Sequence, residues 1–316
     1  MKPLVSIVTL TYKKFDRIWE TIRSVCEQTY SNIEYIICDD GSEAFPEDEI
    51  NKYIDEKRST NLANFVLLHK EKNEGTVRNI NYAYMHGLGE YFINLSCGDV
   101  FYEHTTVEKL IARLQVSGKS LVLSSRVMYE NDYSPLFLTP HKKERDWIGM
   151  LDTREKQYRE FVLSHLYNMA SGSVMCVSKE MISSFGYFDT NYLLLEDSPF
   201  FSKFFRKYTA ELAPDIISIW YEAGGVSTGG KSQAYYSLLE DTKRFDKTEK
   251  MAYLNEFSEK EKRWIKYVNK RDECVEGKKK IFAIISYLPE YLRGRKKYAD
   301  ELKYRKEDLE FLRGIE

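Results

Sequence analysis

The sequence predicts an α/β fold: a mostly parallel, Rossmann-like mixed sheet flanked by helices, with a helical C-terminal extension. Three observations predict it. Short β-rich apolar runs alternate with amphipathic stretches between Leu4 and Leu95. Three of those runs stop at polar or acidic turns. From about residue 231 to the end, the chain becomes charged and Lys-rich. Strands alternating with helices imply parallel pairing in a sheet covered on both faces.

Leu4–Leu10 (Leu-Val-Ser-Ile-Val-Thr-Leu) is bounded by polar residues and reads as a buried strand. Asp16–Gln28 places Ile18, Ile22 and Val25 at helical spacing. Ile33–Cys38 is a second strand, ending at Asp39-Asp40-Gly41-Ser42. A helix over Pro46–Lys57, a strand over Phe65–Leu68 and a helix over Thr76–Leu88 follow. The fourth strand, Tyr91–Leu95, ends in Ser96-Cys97-Gly98-Asp99. Further on come a strand over Leu121–Tyr129, a polar, Pro-containing excursion over 131–145 and a helix over Arg154–Met169. Ser171-Gly172-Ser173 precedes the apolar run Val174–Val177 and a helix over Lys179–Phe185. Glu196-Asp197 opens an aromatic segment to Tyr208, and Ile216–Tyr221 is a strand. Gly224–Gly230 has the composition of a flexible loop, and Tyr298–Ile315 reads as a polar helix. No internal repeat is present. The expected units are 1–230, with halves 1–115 and 116–230, and a helical region 231–316.

In open α/β sheets, ligands bind beyond the carboxyl ends of the strands. Here those ends carry Thr9-Leu10-Thr11-Tyr12, Asp39-Asp40-Gly41-Ser42 and Gly98-Asp99. Asp-Gly and Gly-Asp are also ordinary turn formers. Their convergence on one edge is what favours a site.

With 47 basic against 49 acidic residues, a net charge of −2 and 43% hydrophobic residues, the chain has a soluble globular composition. Near-neutrality argues against nucleic-acid binding by bulk charge. The N-terminal apolar stretch is too short for a signal peptide or a span, and no later run reaches the roughly 18 apolar residues a span needs. The five cysteines are scattered with no CxxC pair, so the expected compartment is a reducing cytoplasm. The five histidines show no ligand spacing. In the tail, Lys278-Lys279-Lys280 precede the apolar run Ile281–Leu288, and Arg293, Arg295, Lys296 and Lys297 follow. Such a segment can lie on the inner face of an anionic membrane. Packing on the main domain and a homodimer contact are the other readings of 278–297.

Together these marks resemble the large family 2 of inverting glycosyltransferases, of the bacterial surface-polysaccharide type, which has the GT-A fold. The resemblance rests on Val5–Tyr12, Asp39–Ser42, Asn73-Glu74-Gly75-Thr76-Val77-Arg78-Asn79, and Gly89-Glu90-Tyr91 with Leu95–Asp99. It also rests on Gly186-Tyr187-Phe188-Asp189 with Glu196-Asp197. It implies a nucleotide-binding half over 1–115 and an acceptor half over 116–230. It further implies transfer of a hexosyl or N-acetylhexosaminyl group from a nucleotide-sugar, foremost a UDP-sugar, to a glycan or lipid-linked glycan with inversion. The implied base pocket is lined by Leu10 and Tyr12, with Thr9 nearby. Asp39 would accept from the uracil imide, and Arg78 would approach the base or diphosphate.

The family's usual Asp-x-Asp-Asp metal motif is reduced here to Ser96-Cys97-Gly98-Asp99. Asp99 is therefore the expected ligand for Mn²⁺ or Mg²⁺, with Gly98 beside it and Glu222 as a further candidate. The resemblance makes Asp197 the general base, with Glu196 next to it. On a strand, adjacent acids point opposite ways, so only one would face the sugar; at a helix start they would favour the dipole. Asp189 is expected to fix a turn. A nucleotide-sugar-binding protein of the same fold with impaired catalysis is the alternative. A phospho-receiver fits poorly, because the chain is much too long for that unit. A nucleotidyltransferase would need a Gly-rich phosphate loop near the first strand, and none is present.

Overall fold

A computed structural model describes residues 2–130, 133–166, 168–225, 232–273 and 277–313. The first half is built from β1 (Val5–Thr11), α1 (Ile18–Cys26), β2 (Ile33–Asp39), α2 (Glu47–Lys57), β3 (Leu62–His69), α3 (Thr76–His86) and β4 (Tyr91–Asn94). The strands alternate their side chains between two apolar layers, as a sheet buried on both faces requires. Ile7, Ile33, Tyr35 and Ile37 enter one core. Val8, Ile36 and Cys38 enter the other. Strand order is β3-β2-β1-β4, all parallel.

Beyond β4 the sheet changes character. β8 (Met175–Ser178) runs antiparallel to both β4 and β6 (Leu121–Glu130). β9 (Glu211–Glu222) lies parallel to β6, and β5 (Val100–Phe101) closes the far edge antiparallel to β9. The sheet is thus parallel on the side of its first four strands and largely antiparallel on the other.

Several segments depart from the sequence reading. The polar excursion carries β7 (Ser134–Thr139), zipped onto β6, and then α5 (Lys142–Ile148). The helix expected over Arg154–Met169 ends as α6 at Val162, because Ser164 takes a left-handed φ of 59°. β9 begins at Glu211 rather than Ile216. Thr106–Ser117, with no assignment from sequence, is α4; it buries Val107, Leu110, Ile111 and Leu114 at helical spacing and ends at left-handed Gly118.

The remaining helices are α7 (Lys179–Ser184), α8 (Asp197–Phe205), α9 (Gln233–Phe245), α10 (Glu259–Glu273), α11 (Gly277–Ser286) and α12 (Leu288–Arg313). The C-terminal helices share the main core: Phe245, Phe257, Trp264 and Ile265 pack in the cluster of Phe161, Phe201 and Phe205. Arg145 on α5 pairs with the buried Asp308 on α12 at 2.8 Å. Among the described residues, no helix is long and apolar enough to cross a membrane.

Candidate active site

A cavity of about 470 Å³ opens at the carboxyl ends of β1 and β4, where an open α/β sheet places its ligand. Leu10, Asp99, Glu196, Asp197 and Glu222 all line it, from four separate parts of the chain. Thr9, Tyr12, Asp39, Arg78 and Gly98 do not. Thr9 is fully buried beneath it, 3.1 Å from the Tyr35 hydroxyl. Tyr12 is 41% exposed, and Arg78 is exposed on the first turn of α3.

The acidic turn after β2 is bonded within the protein. Asp39 is fully buried and accepts from the Thr11 hydroxyl at 2.9 Å, the Ser42 amide at 2.6 Å and the Ser42 hydroxyl at 2.8 Å. Asp40 accepts from the Lys70 ammonium and the Gly75 amide, each at 2.8 Å. These bonds tie the ends of β1, β2 and β3 to the start of α3.

Asp99 follows a turn that only glycine fits comfortably. Gly98 has φ +100°, and a Cβ there would sit 2.4 Å from Glu222 Oε2. The Gly98 carbonyl accepts from the Tyr129 hydroxyl at 2.5 Å, and its amide donates to Thr21. Asp99 Oδ1 accepts the Glu222 amide at 2.9 Å. Its Oδ2 is buried without a hydrogen-bond partner among the described residues. Burial pushes the Asp99 carboxyl up to about 8; the Glu222 amide and the Arg126 charge oppose the rise, and the Glu222 charge adds to it. Glu222 is itself held by Lys14 at 2.7 Å and Arg17 at 3.4 Å.

Glu196 and Asp197 stand at a helix start, not on a strand. Asp197 is the first residue of α8, with Pro199 in the first turn where its missing N–H costs no helical bond. The strand expectation of one inward acid therefore gives way: both acids line the cavity. Asp197 accepts from the Ser198 amide at 2.5 Å and hydroxyl at 3.1 Å, and from the Gly172 amide at 3.1 Å. Burial raises the Asp197 carboxyl, while these bonds and the Arg126 charge pull it back. Burial, and then the Asp197 charge, push Glu196 up to about 8. Two adjacent carboxyls share their protons as a pair. The hydrogen bonds and the arginine favour the charge on Asp197, which leaves the proton on Glu196.

Three contributors were not singled out from the sequence. Arg126, on β6, lines the cavity, donates to the Ser173 hydroxyl at 2.7 Å and lies 4.8 Å over the Tyr221 ring. Its charge acts on both Asp99 and Asp197. A charged residue in the apolar run Leu121–Tyr129 was the available signal. Asn94 donates to the Gly172 carbonyl at 3.0 Å and holds that loop to β4. Asp241, buried on α9, accepts the amides of Leu193 and Leu194 at 2.7 Å and of Leu195 at 3.3 Å. It thereby fixes the segment leading into Glu196-Asp197. Asp189 accepts from Asn191 and pairs with Lys203 at 2.8 Å, which fixes its turn. Of the loop Gly224–Gly230, residues 226–230 lie outside the described residues.

Among the described residues, Asp99 and Glu222 are the carboxylates available for a cation on this side of the cavity. Among the described residues, no group of three or more His, Cys, Asp or Glu side chains is placed to hold a metal. The unpartnered Asp99 oxygen nevertheless suits a hard cation that takes its remaining ligands from phosphate oxygens and water.

The family model described as "Glycosyl transferase family 2" matches residues 6–179. An uncharacterized glycosyltransferase of Rickettsia typhi is 24% identical over 209 residues, 65% of this chain and 59% of the relative. The chain therefore spans under two thirds of that relative's length. The Escherichia coli UDP-Glc:alpha-D-GlcNAc-diphosphoundecaprenol beta-1,3-glucosyltransferase WfaP is 48% identical over 54 residues, 17% of this chain and 22% of the relative. Among solved structures, S. aureus TarS 1–349 in complex with UDP superposes with TM-score 0.54 and 14% identity, covering 92% of each chain. The mannosyltransferase PcManGT from Pyrobaculum calidifontis, in complex with GDP-Man and Mn²⁺, gives TM-score 0.58 and 14% identity over 97% of this chain and 83% of its own. These likenesses show the fold, which is of the GT-A type.

Proposed function

Because the chain belongs to glycosyl transferase family 2, we propose that it transfers a sugar from a nucleotide-sugar, foremost a UDP-sugar, to a glycan or lipid-linked glycan acceptor with inversion. The observation that carries the reading is that Asp99 and the pair Glu196-Asp197 open into one cavity. Inversion is a single displacement, which needs a base on the acceptor side and no covalent nucleophile. Asp197 takes the acceptor hydroxyl proton, held in its charged form by Gly172, Ser198 and the Arg126 charge. Glu196 keeps its proton and donates a hydrogen bond to the acceptor.

The donor's base lies toward Leu10, Tyr12 and Asp39, with Arg78 on the diphosphate side. Relatives support the donor class: TarS is known with UDP and with UDP-GlcNAc, and the name of the E. coli relative specifies UDP-Glc. A Mn²⁺ or Mg²⁺ ion held by Asp99, with Glu222 beside it, would neutralise charge developing on the leaving diphosphate. Arg126 places a fixed positive charge on the same cavity. The shortage of carboxylates placed for a metal among the described residues favours a second reading, a nucleotide-sugar binder with impaired catalysis.

Donor turnover decides between the two. UDP release from UDP-sugars, with water as the acceptor, is measured for the wild type and Asp197→Asn in Mn²⁺. The proposal expects turnover that falls by about 10²–10⁴-fold in the variant, with donor affinity unchanged. Wild-type protein that binds donors yet never turns them over would establish the binder. Full turnover by Asp197→Asn would move the base elsewhere.

A further inference from the structure

Helices α11 and α12 carry two apolar faces, and the described residues cover only one of them. The inner face is packed: Ala283 is buried, Tyr287 and Tyr291 sit against the main core, and Gly294 faces the Tyr267 ring. The helical ladder runs on across the junction, from the Tyr287 amide to Ala283 at 3.1 Å and from the Tyr291 amide to Tyr287 at 2.8 Å. At 3.6 residues per turn, Ile281, Ile285, Leu288 and Leu292 therefore fall within an arc of about 60° on the opposite side. They are exposed, as is Phe282; Phe282 and Ile285 are 71% and 70% exposed.

The stripe has a charge signature. Between Lys278 and Lys297 the sequence holds seven basic residues and one acid, Glu290, and that acid is paired with Arg263 at 2.9 Å. Arg293 lies over the Trp264 ring and Lys297 approaches Glu144, so both lean toward the protein. Arg295 and Lys296 are exposed on either side of the apolar arc, and Lys280 is exposed at its start.

We propose that the outer face of α11–α12 docks on the surface of an anionic lipid bilayer, with the apolar stripe in the headgroup boundary and the basic flanks against acidic headgroups. An amphipathic helix with a basic polar face lies in the plane of such a surface, and each nearby basic residue strengthens the attraction. A second copy of this chain fits less well. A two-fold contact through the stripe would set the same basic flanks against each other. The proposal does not depend on the donor or the reaction.

Co-sedimentation of the full chain with phosphatidylcholine vesicles, with and without about one-third phosphatidylglycerol, tests it. Binding should require the anionic lipid and weaken with salt. Arg295→Gln with Lys296→Gln should lower the partition coefficient by roughly five-fold per charge, about 25-fold together. Ile285→Glu with Leu292→Glu should abolish binding while leaving the thermal midpoint unchanged, since both side chains are exposed. Three results would overturn the proposal: equal binding to both vesicle types, variants that bind like the wild type, or no vesicle binding at all. A concentration-dependent dimer, dispersed by Ile285→Glu in a chain that ignores vesicles, would assign the stripe to a second copy.

Discussion

Asp99 is the residue whose burial is hardest to reconcile with a purely structural role, and Asp99→Asn tests why it is there. Its carboxyl is 3% exposed and is pushed from 3.8 to about 8. The folded state therefore holds a proton that the unfolded chain releases. Stability from this group is fully present below about pH 4 and is lost as pH rises toward 8. At 1.36 kcal/mol per unit, the gap between 3.8 and neutral pH corresponds to about 4 kcal/mol, and water reaching the cavity lowers that to about 2–4 kcal/mol. Asparagine keeps the shape and the acceptor for the Glu222 amide but has nothing to ionise.

Urea or thermal unfolding in EDTA, from pH 4.5 to 8.5, reads the difference. Near pH 4.5 the two proteins should be about equally stable. By neutral pH the variant should be the more stable by about 2–4 kcal/mol, or several degrees in midpoint, and by more at pH 8.5. Adding Mn²⁺ should stabilise the wild type and not the variant. The gain should also grow with pH up to about 8, because a cation must displace the proton. A stability difference independent of pH, or the same Mn²⁺ shift in both proteins, would refute the reasoning.

Other substitutions probe the rest of the cavity. Arg126→Met removes a charge that lowers the Asp197 carboxyl, so the acid limb of the pH–rate profile should move to higher pH; an unmoved profile would take Arg126 out of the site's electrostatics. Asp241→Asn weakens the clamp on Leu193, Leu194 and Leu195. It should cost about 2 kcal/mol in urea unfolding and reduce turnover more than donor affinity; an unchanged kcat would make the clamp irrelevant to the acid pair. Gly98→Ala meets both a left-handed φ and the Glu222 carboxylate. A loss of about 2 kcal/mol or more is expected, and a neutral outcome in the same assay would show that the turn can relax.

The sequence was informative where a signal is local. Strands ending in Asp39-Asp40-Gly41-Ser42 and Gly98-Asp99 could be placed because turn chemistry and apolar runs adjoin. The acid pair was found by its place after Gly186-Tyr187-Phe188-Asp189, and of the two geometries open to it, strand and helix start, the structure takes the helix start. Pro199, two residues after Asp197, is the local mark that favours the helix start. The stop after Val162 was also hidden, because no glycine or proline marks Ser164. The antiparallel half of the sheet follows from long-range pairing of β8 with β4 and β6, which periodicity within a strand does not encode.

What the sequence withheld was the division of labour among its acids. Asp39, Asp40, Asp99, Asp197 and Asp241 are five buried or cavity-lining aspartates, and composition treats them alike. The structure separates them by their partners. Asp39, Asp40 and Asp241 are filled by backbone amides, hydroxyls and, for Asp40, the Lys70 ammonium, so their charge goes into holding the strand ends and the approach to the acid pair. Asp197 has its donors and a nearby arginine, which oppose the upward push of burial and favour the pair's charge on it rather than on Glu196. Asp99 alone among these five has a buried oxygen with no partner among the described residues. Unfilled acceptor capacity in a buried carboxylate costs stability unless something arrives to occupy it. That cost is the physical reason to look for a cation or a proton there, and the pH dependence of Asp99→Asn distinguishes the two.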